Sequence, residues 1–217
     1  MRSRFADRRD AGRALATELR GRIADNDLLV VLGLPRGGVV VAAEVAAVLK
    51  AELDALVVRK LGVPGHEELA VGAVAAGADP VVNEDVRRRA AISAHVIAQL
   101  AKEQLAECAR REAVYRPGRA PIDVTGREVV LVDDGLATGA TMRAAVRVLP
   151  ALGPPRRVIV AVPVGPRDTV DELATEADEV VCLATPRPFL AVGYAYDDFR
   201  QTTDDEVREL LVYPSGH

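Results

Sequence analysis

The sequence predicts an α/β protein with a doubly wound, mainly parallel five-stranded sheet and helices on both faces. Short apolar runs rich in valine and leucine recur along the chain, and helical patterns separate them. Such runs are typical of parallel strands that are buried on both faces and joined by crossover helices. Because these crossovers are right-handed, we expect the strand order 2-1-3-4-5.

The predicted strands are centred on five positions: Leu28, Asp54, Val129, Val158 and Val180. The second of them is predicted over residues 54–58. A chain of 217 residues with 49% hydrophobic content can bury one sizeable core. We therefore expect a single domain over residues 1–217, with an insertion at about 61–121 and a hood over one sheet edge at about 184–217.

Composition excludes several classes of function. The net charge of −4 argues against a general nucleic-acid binder. Cys108 and Cys182 form neither a disulfide framework nor a metal motif, which fits a reduced cytoplasmic setting. No apolar run approaches the ~20 residues of a membrane span, and the N-terminus lacks the apolar core of a signal peptide. We expect a soluble cytoplasmic protein with no nucleic-acid or membrane partner.

The opening segment predicts an amphipathic helix that covers the core. Its apolar residues recur at approximately helical spacing: Phe5, Leu15, Leu19 and Ile23. Its first nine residues carry four arginines: Arg2, Arg4, Arg8 and Arg9. We expect these arginines to form the solvated face of the helix, and the alternative is that some of them hold an anion.

The most informative stretch is residues 129–141, VVLVDDGLATGAT. A buried strand ends there in Asp133 and Asp134, whose carboxylates are costly to bury and should face a cleft. The small residues that follow lead into a helix, whose N-terminal N–H groups and dipole attract an anion. Alone, an acid pair or a small-residue turn is usually an ordinary turn. In this order they predict a ribose-phosphate site.

Two further charged segments follow predicted strands. Arg36 precedes Gly37 and Gly38, whose backbone amides can approach a polyanion that the guanidinium neutralises. Arg59 and Lys60 follow the second strand, so we expect both cations to emerge at the same sheet edge and to converge on the same anion. The alternative for the Arg36 segment is a tight turn, and the alternative for Arg59 and Lys60 is a solvent-facing charge pair. Because the first and third strands are neighbours in the predicted order, the Arg36 and Asp133 loops should share one crevice.

The insertion predicts a small hairpin and a long helix. Residues 71–76 and 80–82 are predicted to pair. Residues 84–115 form one continuous helical pattern, which would brace the hairpin or provide a contact in a homo-oligomer.

Residues 129–141 resemble the phosphoribosyl-pyrophosphate (PRPP) signature of the type I phosphoribosyltransferases: an apolar strand, two acids and a small loop. With GLPRGG and VVRKLGVP, the chain is most similar to bacterial stand-alone phosphoribosyltransferase-like proteins of unassigned acceptor. The resemblance implies transfer of a 5-phosphoribosyl group from PRPP to a nitrogenous acceptor such as a nucleobase, release of pyrophosphate, and Mg²⁺ as cofactor.

The resemblance also implies roles for individual residues. The expected catalytic residues are Asp133, Asp134, Arg36 and Lys60. The expected PRPP-binding residues are Gly37, Gly38, Arg59, Gly135, Leu136, Ala137, Thr138, Gly139, Ala140 and Thr141. It further implies a flexible loop over residues 61–68 and a non-proline cis peptide, for which Arg36–Gly37 is the candidate.

The tail VGYAYDD resembles the C-terminal stretch of hypoxanthine-type phosphoribosyltransferases. By that resemblance Phe189 or Leu190 borders the acceptor and Asp197 meets the metal, which PRPP itself mainly holds. The chain departs from this group in two places, because Ala184-Thr185-Pro186 replaces a base-reading lysine and Ala137 replaces an acid. These departures argue against a 6-oxopurine acceptor.

Two alternatives belong to other functional classes. One is a non-catalytic PRPP or nucleotide sensor that regulates a partner. The other is a dinucleotide-binding domain, but the G-x-G-x-x-G fingerprint is missing after the first strand. Arg36 and the Arg59-Lys60 pair favour the enzyme, because a sensor need not stabilise departing pyrophosphate.

Overall fold

A five-stranded parallel sheet forms the centre of the computed structural model, which describes residues 4–23 and 28–212. The strands are β1 (Leu29–Gly33), β2 (Glu52–Ala55), β3 (Val58–Val63), β4 (His66–Ala75), β5 (Val81–Val82), β6 (Glu128–Val132), β7 (Arg157–Val164) and β8 (Glu179–Ala184). The order in the parallel sheet is β2-β1-β6-β7-β8. The predicted order 2-1-3-4-5 is confirmed.

Helices cover both faces of this sheet, as predicted. They are α1 (Arg8–Leu19), α2 (Gly37–Leu49), α3 (Glu84–Arg89), α4 (Ala94–Tyr115), α5 (Ala140–Leu152), α6 (Arg167–Leu173) and α7 (Asp204–Val212), with a 3-10 turn at Val192–Ala195. Strand side chains alternate between two cores, since successive residues point to opposite faces. Val31 and Val130 pack with α1 and α2, whereas Val30 and Leu131 pack with α5.

A second sheet, antiparallel and three-stranded, has the order β3-β4-β5. The predicted pairing of residues 71–76 with 80–82 is confirmed by β4 and β5.

The predicted strand over 54–58 is wrong in extent, because β2 ends at Ala55 and Val58 already begins β3. The expected loop over 61–68 is largely the β3–β4 hairpin, whose turn contains Gly65 at φ 78°. Leu56 to Val58 are all buried where the chain passes between the sheets, so hydrophobicity alone does not mark the break.

The prediction of one helix over 84–115 is wrong, because α3 ends at Arg89 and α4 begins at Ala94. Ala91 between them has φ 52°, and the Ser93 hydroxyl caps α4 by accepting from the Val96 amide at 3.3 Å. A serine that caps a new helix competes with continuation of the old one. Ile97 and Cys108 of α4 are buried against the second sheet, which supports the bracing role. The oligomer contact stays a prediction.

Asp54 ties the end of the insertion to β2. This carboxylate is 1% exposed and accepts from the guanidinium groups of Arg116 at 3.0 Å and Arg119 at 2.9 Å. It also accepts from the Ile122 amide at 3.1 Å. A buried carboxylate requires such partners. Segment 116–122 is thereby held beside the edge strand of the parallel sheet.

The predicted N-terminal helix is present as α1, although two of the residues on which it was predicted, Phe5 and Ile23, lie outside it. The arginines of this segment differ in environment. Arg9 is exposed and pairs with Glu44, whereas Arg8 is 8% exposed and therefore does not belong to a solvated face. Arg2 lies outside the described residues. Among the described residues, no helix is both long and apolar enough to cross a membrane.

Candidate active site

The acid pair lies where β1 and β6 end side by side. Gly33 and Val132 are in register, and the Leu34 amide donates to the Val132 carbonyl at 2.8 Å. A Cβ on Gly37 would lie 1.9 Å from Asp134 Oδ2, and one on Gly38 would lie 2.9 Å from Asp133 Oδ1. The N-terminus of α2 therefore packs directly on the carboxylates, and the loops of Arg36 and Asp133 lie side by side, as the predicted strand order implies.

One oxygen of each carboxylate accepts a hydrogen bond from another residue of the protein. Asp133 Oδ1 accepts from the Asp134 amide at 2.8 Å, and Asp134 Oδ2 accepts from Arg8 Nε at 2.7 Å. For Asp133 Oδ2 and Asp134 Oδ1, no bond to another residue is seen within residues 4–23 and 28–212. These two oxygens are available to a ligand.

Burial and mutual repulsion perturb the acid pair. Burial raises the pKa of Asp133 well above its ordinary range, and the neighbouring Asp134 charge adds to this effect. Burial also raises the pKa of Asp134, although the Arg8 guanidinium opposes it. A ligand that brings hydroxyl donors or a cation to these carboxylates would favour their ionised forms.

Arg8 joins the N-terminal helix to the acid pair and to the C-terminal segment. Besides Asp134, its guanidinium donates to the Arg200 carbonyl at 2.7 Å. Its Cζ atom lies 4.0 Å from the centroid of the Phe199 ring, which is a cation–π contact. The charged centre is thus enclosed on three sides by residues distant in sequence.

The C-terminal segment also contacts the loop directly. The Tyr196 hydroxyl donates to the Asp134 carbonyl at 2.5 Å, and burial raises the pKa of this phenol. The Tyr196 ring stacks on Phe199 at a centroid distance of 5.0 Å. Backbone pairing of Phe5 with Tyr196 joins this segment to the residues before α1. The aromatic cluster is therefore mainly a structural support for the acid pair.

The small-residue loop presents backbone amides at the start of α5. The first bond onto the helix runs from the Arg143 amide to the Gly139 carbonyl, so the N–H groups of Thr141 and Met142 precede it. Leu136 differs from the other loop positions, because its side chain is buried and its amide donates to Val164. The Arg143 guanidinium donates to the Thr138 carbonyl at 2.7 Å and braces the loop.

Arg36 precedes α2 and is half-buried. The non-proline cis peptide is present but lies at Pro35–Arg36, one bond before the expected Arg36–Gly37. Both residues of the expected bond are part of the start of α2, which runs from Gly37 with Arg36 as its cap. Within the described residues, no carboxylate pairs with the Arg36 guanidinium.

Arg59 and Lys60 are adjacent in β3, so their side chains leave the strand on opposite faces. Arg59 Nε donates to Gln104 of α4 at 2.9 Å. Lys60 is in register with Ala73, which lines a cavity of about 400 Å³ together with Thr138 and Ala140. The expectation that both cations converge on one anion is not met, and only Lys60 lies on the loop side.

The hood places its predicted residues in different environments. Phe189 packs on the cluster around Phe5 and Tyr196, whereas Leu190 is 67% exposed. Asp197 pairs with Arg4 at 2.5 Å, and both side chains are exposed. In the described part of the chain, no three histidine, cysteine, aspartate or glutamate side chains group closely enough to hold a metal.

Comparison with known proteins assigns the family. The model of the phosphoribosyl transferase domain matches residues 5–198. The chain belongs to this phosphoribosyltransferase family. Rv0571c of Mycobacterium tuberculosis, which carries the words phosphoribosyl transferase in its name, is 53% identical over 207 residues. That match covers 95% of this chain and 46% of the relative, so the chain spans about half the length of the curated relatives it matches.

A solved structure supports the phosphoribosyltransferase fold over nearly the whole chain. TT1426 from Thermus thermophilus superimposes with a TM-score of 0.89 and 45% identity, covering 98% of this chain and 100% of that one. The bifunctional protein PyrR of Thermus aquaticus is 49% identical over 63 residues, which is 29% of this chain and 34% of PyrR. The α/β fold of the type I family is therefore established.

Sequence reasoning missed three contributors to this candidate site. Arg8 and Tyr196 contact the acid pair from the two chain ends, and Arg143 braces the loop from within α5. The concentration of aromatics near residue 196 in a chain with 3% aromatic content was one available signal. A second was helical spacing, because Arg8 lies on the same stripe of α1 as Leu15 and Leu19, whereas Arg9 does not.

Proposed function

We propose that this chain transfers a 5-phosphoribosyl group from PRPP to a nitrogenous acceptor and releases pyrophosphate. The observation that supports this most is the acid pair, in which one oxygen of each carboxylate is engaged by another residue and one is available. Two adjacent acceptors match the two vicinal hydroxyls of a ribose, each of which donates one hydrogen bond. The N-termini of α2 and α5 flank the pair, where anionic groups are favoured.

Each part of PRPP then has a chemically suitable partner. Asp133 and Asp134 would accept from the ribose hydroxyls, and the amides and hydroxyls of residues 137–141 would bind the 5′-phosphate. Arg36, the Gly37 and Gly38 amides, and Lys60 would bind the pyrophosphate. As the bond at C1 breaks, positive charge grows on the ribose beside the acids and negative charge grows on the leaving group beside Arg36.

The residues present fit Mg²⁺ held mainly by the substrate. The described residues offer individual carboxylates and no group of three side chains that could enclose a metal ion. Mg²⁺ commonly uses one or two carboxylates together with substrate phosphates. The Asp197 carboxylate would bind the metal ion once its ion pair with Arg4 is broken. Bound Mg²⁺ would supply charge neutralisation on pyrophosphate. Phe189 and Leu190 would border the acceptor and present a largely apolar surface to it.

A PRPP-binding regulator is the second candidate. The observation that favours it is the hood, where Ala184-Thr185-Pro186 offers no cationic side chain to read a base. The related PyrR protein carries the word bifunctional in its name, so a regulatory role beside or instead of transfer is compatible with this family.

The test measures pyrophosphate release from PRPP and Mg²⁺ with a panel of nucleobases and small amines. The control is the double variant Asp133→Asn/Asp134→Asn, which retains shape but removes both charges. Release that depends on one acceptor and is lost in the control supports the transferase. PRPP binding without release for any acceptor supports the regulator, and absence of PRPP binding contradicts both.

A further inference from the structure

Arg8 is a buried cation that contacts the acid pair from a helix outside the two anion loops. Its side chain is 10% exposed and that of Asp134 is 17% exposed. The Nε atom donates to Asp134 Oδ2 at 2.7 Å, on the side where Gly37 packs. Asp134 Oδ2 is thereby occupied, and Oδ1 is the oxygen of Asp134 for which no bond to another described residue is seen.

The guanidinium is itself held in one orientation. Its Nη1 atom donates to the Arg200 carbonyl at 2.7 Å, and its plane is covered by Phe199 at 4.0 Å from Cζ to the ring centroid. Three directed contacts of this kind require the planar fork of arginine, which the single ammonium of lysine does not reproduce.

The residues that hold Arg8 are connected to the same loop. Tyr196 stacks on Phe199 and donates its hydroxyl to the Asp134 carbonyl, so the C-terminal segment fixes both the backbone and, through Arg8, the carboxylate of Asp134. An ion pair that served only to join two chain ends would not need to include the acid that faces the ligand.

We propose that Arg8 is a positioning residue for phosphoribosyl transfer, which orients Asp134 so that Oδ1 accepts from a ribose hydroxyl. This inference rests on the proposed function. Arg8 acts through Asp134 and does not contact the reacting atoms. It also makes the geometry of the ribose site depend on docking of residues 196–200.

The test compares Arg8→Gln and Arg8→Lys with the matched control Arg9→Gln, whose exposed guanidinium pairs with Glu44 on the surface. PRPP binding in the presence of Mg²⁺ is measured by calorimetry across pH 5 to 8. Misplacing a group that contacts a substrate can cost a factor of about 100. We expect a loss of about 10- to 100-fold in PRPP affinity for Arg8→Gln, because Asp134 is no longer held in one orientation. Arg9→Gln should bind like the wild type.

The pH dependence separates positioning from simple tethering. The charged or titratable groups that face Asp134 are Arg8, Asp133 and the Tyr196 phenol. Without the guanidinium the carboxyl pKa rises, so Arg8→Gln should lose PRPP binding at a higher pH than the wild type as the solution is acidified. Arg8→Lys should restore this pH midpoint while its affinity at neutral pH stays reduced.

The outcomes distinguish the two proposals. A wild type that does not bind PRPP contradicts the transferase and, with it, the role of Arg8. A wild type that binds, together with a folded Arg8→Gln variant of equal affinity and equal pH dependence, contradicts the Arg8 proposal alone. If Arg8→Gln fails to fold, Phe199→Leu removes the ring that covers the guanidinium, and unchanged affinity in both Phe199→Leu and Arg8→Lys overturns the proposal.

Discussion

At the scale of single residues, the space around the acid pair explains why two glycines begin α2. Gly37 and Gly38 are usually considered for the access they give to backbone amides. Here their missing side chains also leave room for the carboxylates, because a Cβ on Gly37 would lie 1.9 Å from Asp134 Oδ2. The same Cβ atom on Gly37 would lie 2.7 Å from Arg8 Nε. The smallest substitution therefore disturbs the acid and its cation together.

We predict that Gly37→Ala displaces Asp134, lowers the free energy of unfolding by about 1–3 kcal/mol through overpacking, and weakens PRPP binding. Calorimetry gives the affinity and urea unfolding gives the stability. The matched control is Gly21→Ala, because a Cβ on Gly21 meets nothing within 4 Å. Equal affinity in both variants would show that contact between α2 and Asp134 is unimportant.

At the scale of elements, the stability of the insertion depends on one buried carboxylate. We predict that Asp54→Ala lowers the free energy of unfolding by about 1–3 kcal/mol, because Arg116, Arg119 and the Ile122 amide lose their acceptor while Arg116 keeps its pair with Glu112. Arg116 is 7% exposed. Urea unfolding measures the loss. The control Asp205→Ala removes an exposed pair with Arg208, and such pairs contribute about 0–1 kcal/mol. Similar losses in both variants would contradict the prediction.

The elements that could be predicted from sequence are those with a local signature. Apolar runs and right-handed crossovers predict the parallel sheet and its order, and the adjacency of the first and third strands predicts the shared crevice. The break near Leu56 could not be predicted, because the chain stays buried as it passes between the sheets. The contact of Arg8 with Asp134 spans 126 residues, and local periodicity contains no information about a contact of that kind.

At the scale of the whole molecule, the acid pair opposes folding when no ligand is bound. Burial raises the pKa of Asp133 in the folded state, so the fold binds this proton more tightly than the unfolded chain. Stability is therefore lost as pH rises above the ordinary aspartate pKa of about 3.9. Sites built for function commonly carry such a cost in stability.

We predict that Asp133→Asn raises the melting temperature at pH 7, and that this gain disappears as pH falls below about 4, the ordinary range of an aspartate pKa. Thermal unfolding monitored at several pH values gives the comparison. Asp134→Asn is the control, because it also removes the charge that pairs with Arg8 and should gain less. If Asp133→Asn raised the melting temperature by the same amount at every pH, the gain would not have an electrostatic origin and the prediction would be wrong.

Two contacts between distant parts of the chain have a consequence for biosynthesis. They are the backbone bridge between Phe5 and Tyr196 and the hydrogen bond from the Arg8 side chain to the Arg200 carbonyl. Ribosomes make the amino-terminal partner first, and translation must proceed through residue 200 before Arg8 can acquire all its contacts. The nascent α1 can pack on α2 early, whereas Arg8 acquires its contacts with Phe199 and Arg200 only after those residues have been made. We therefore expect the geometry of the acid pair to be completed late in folding, since contacts over such long sequence separations form slowly. A chain whose synthesis stops before this segment would contain both anion loops and lack the support for its acid pair.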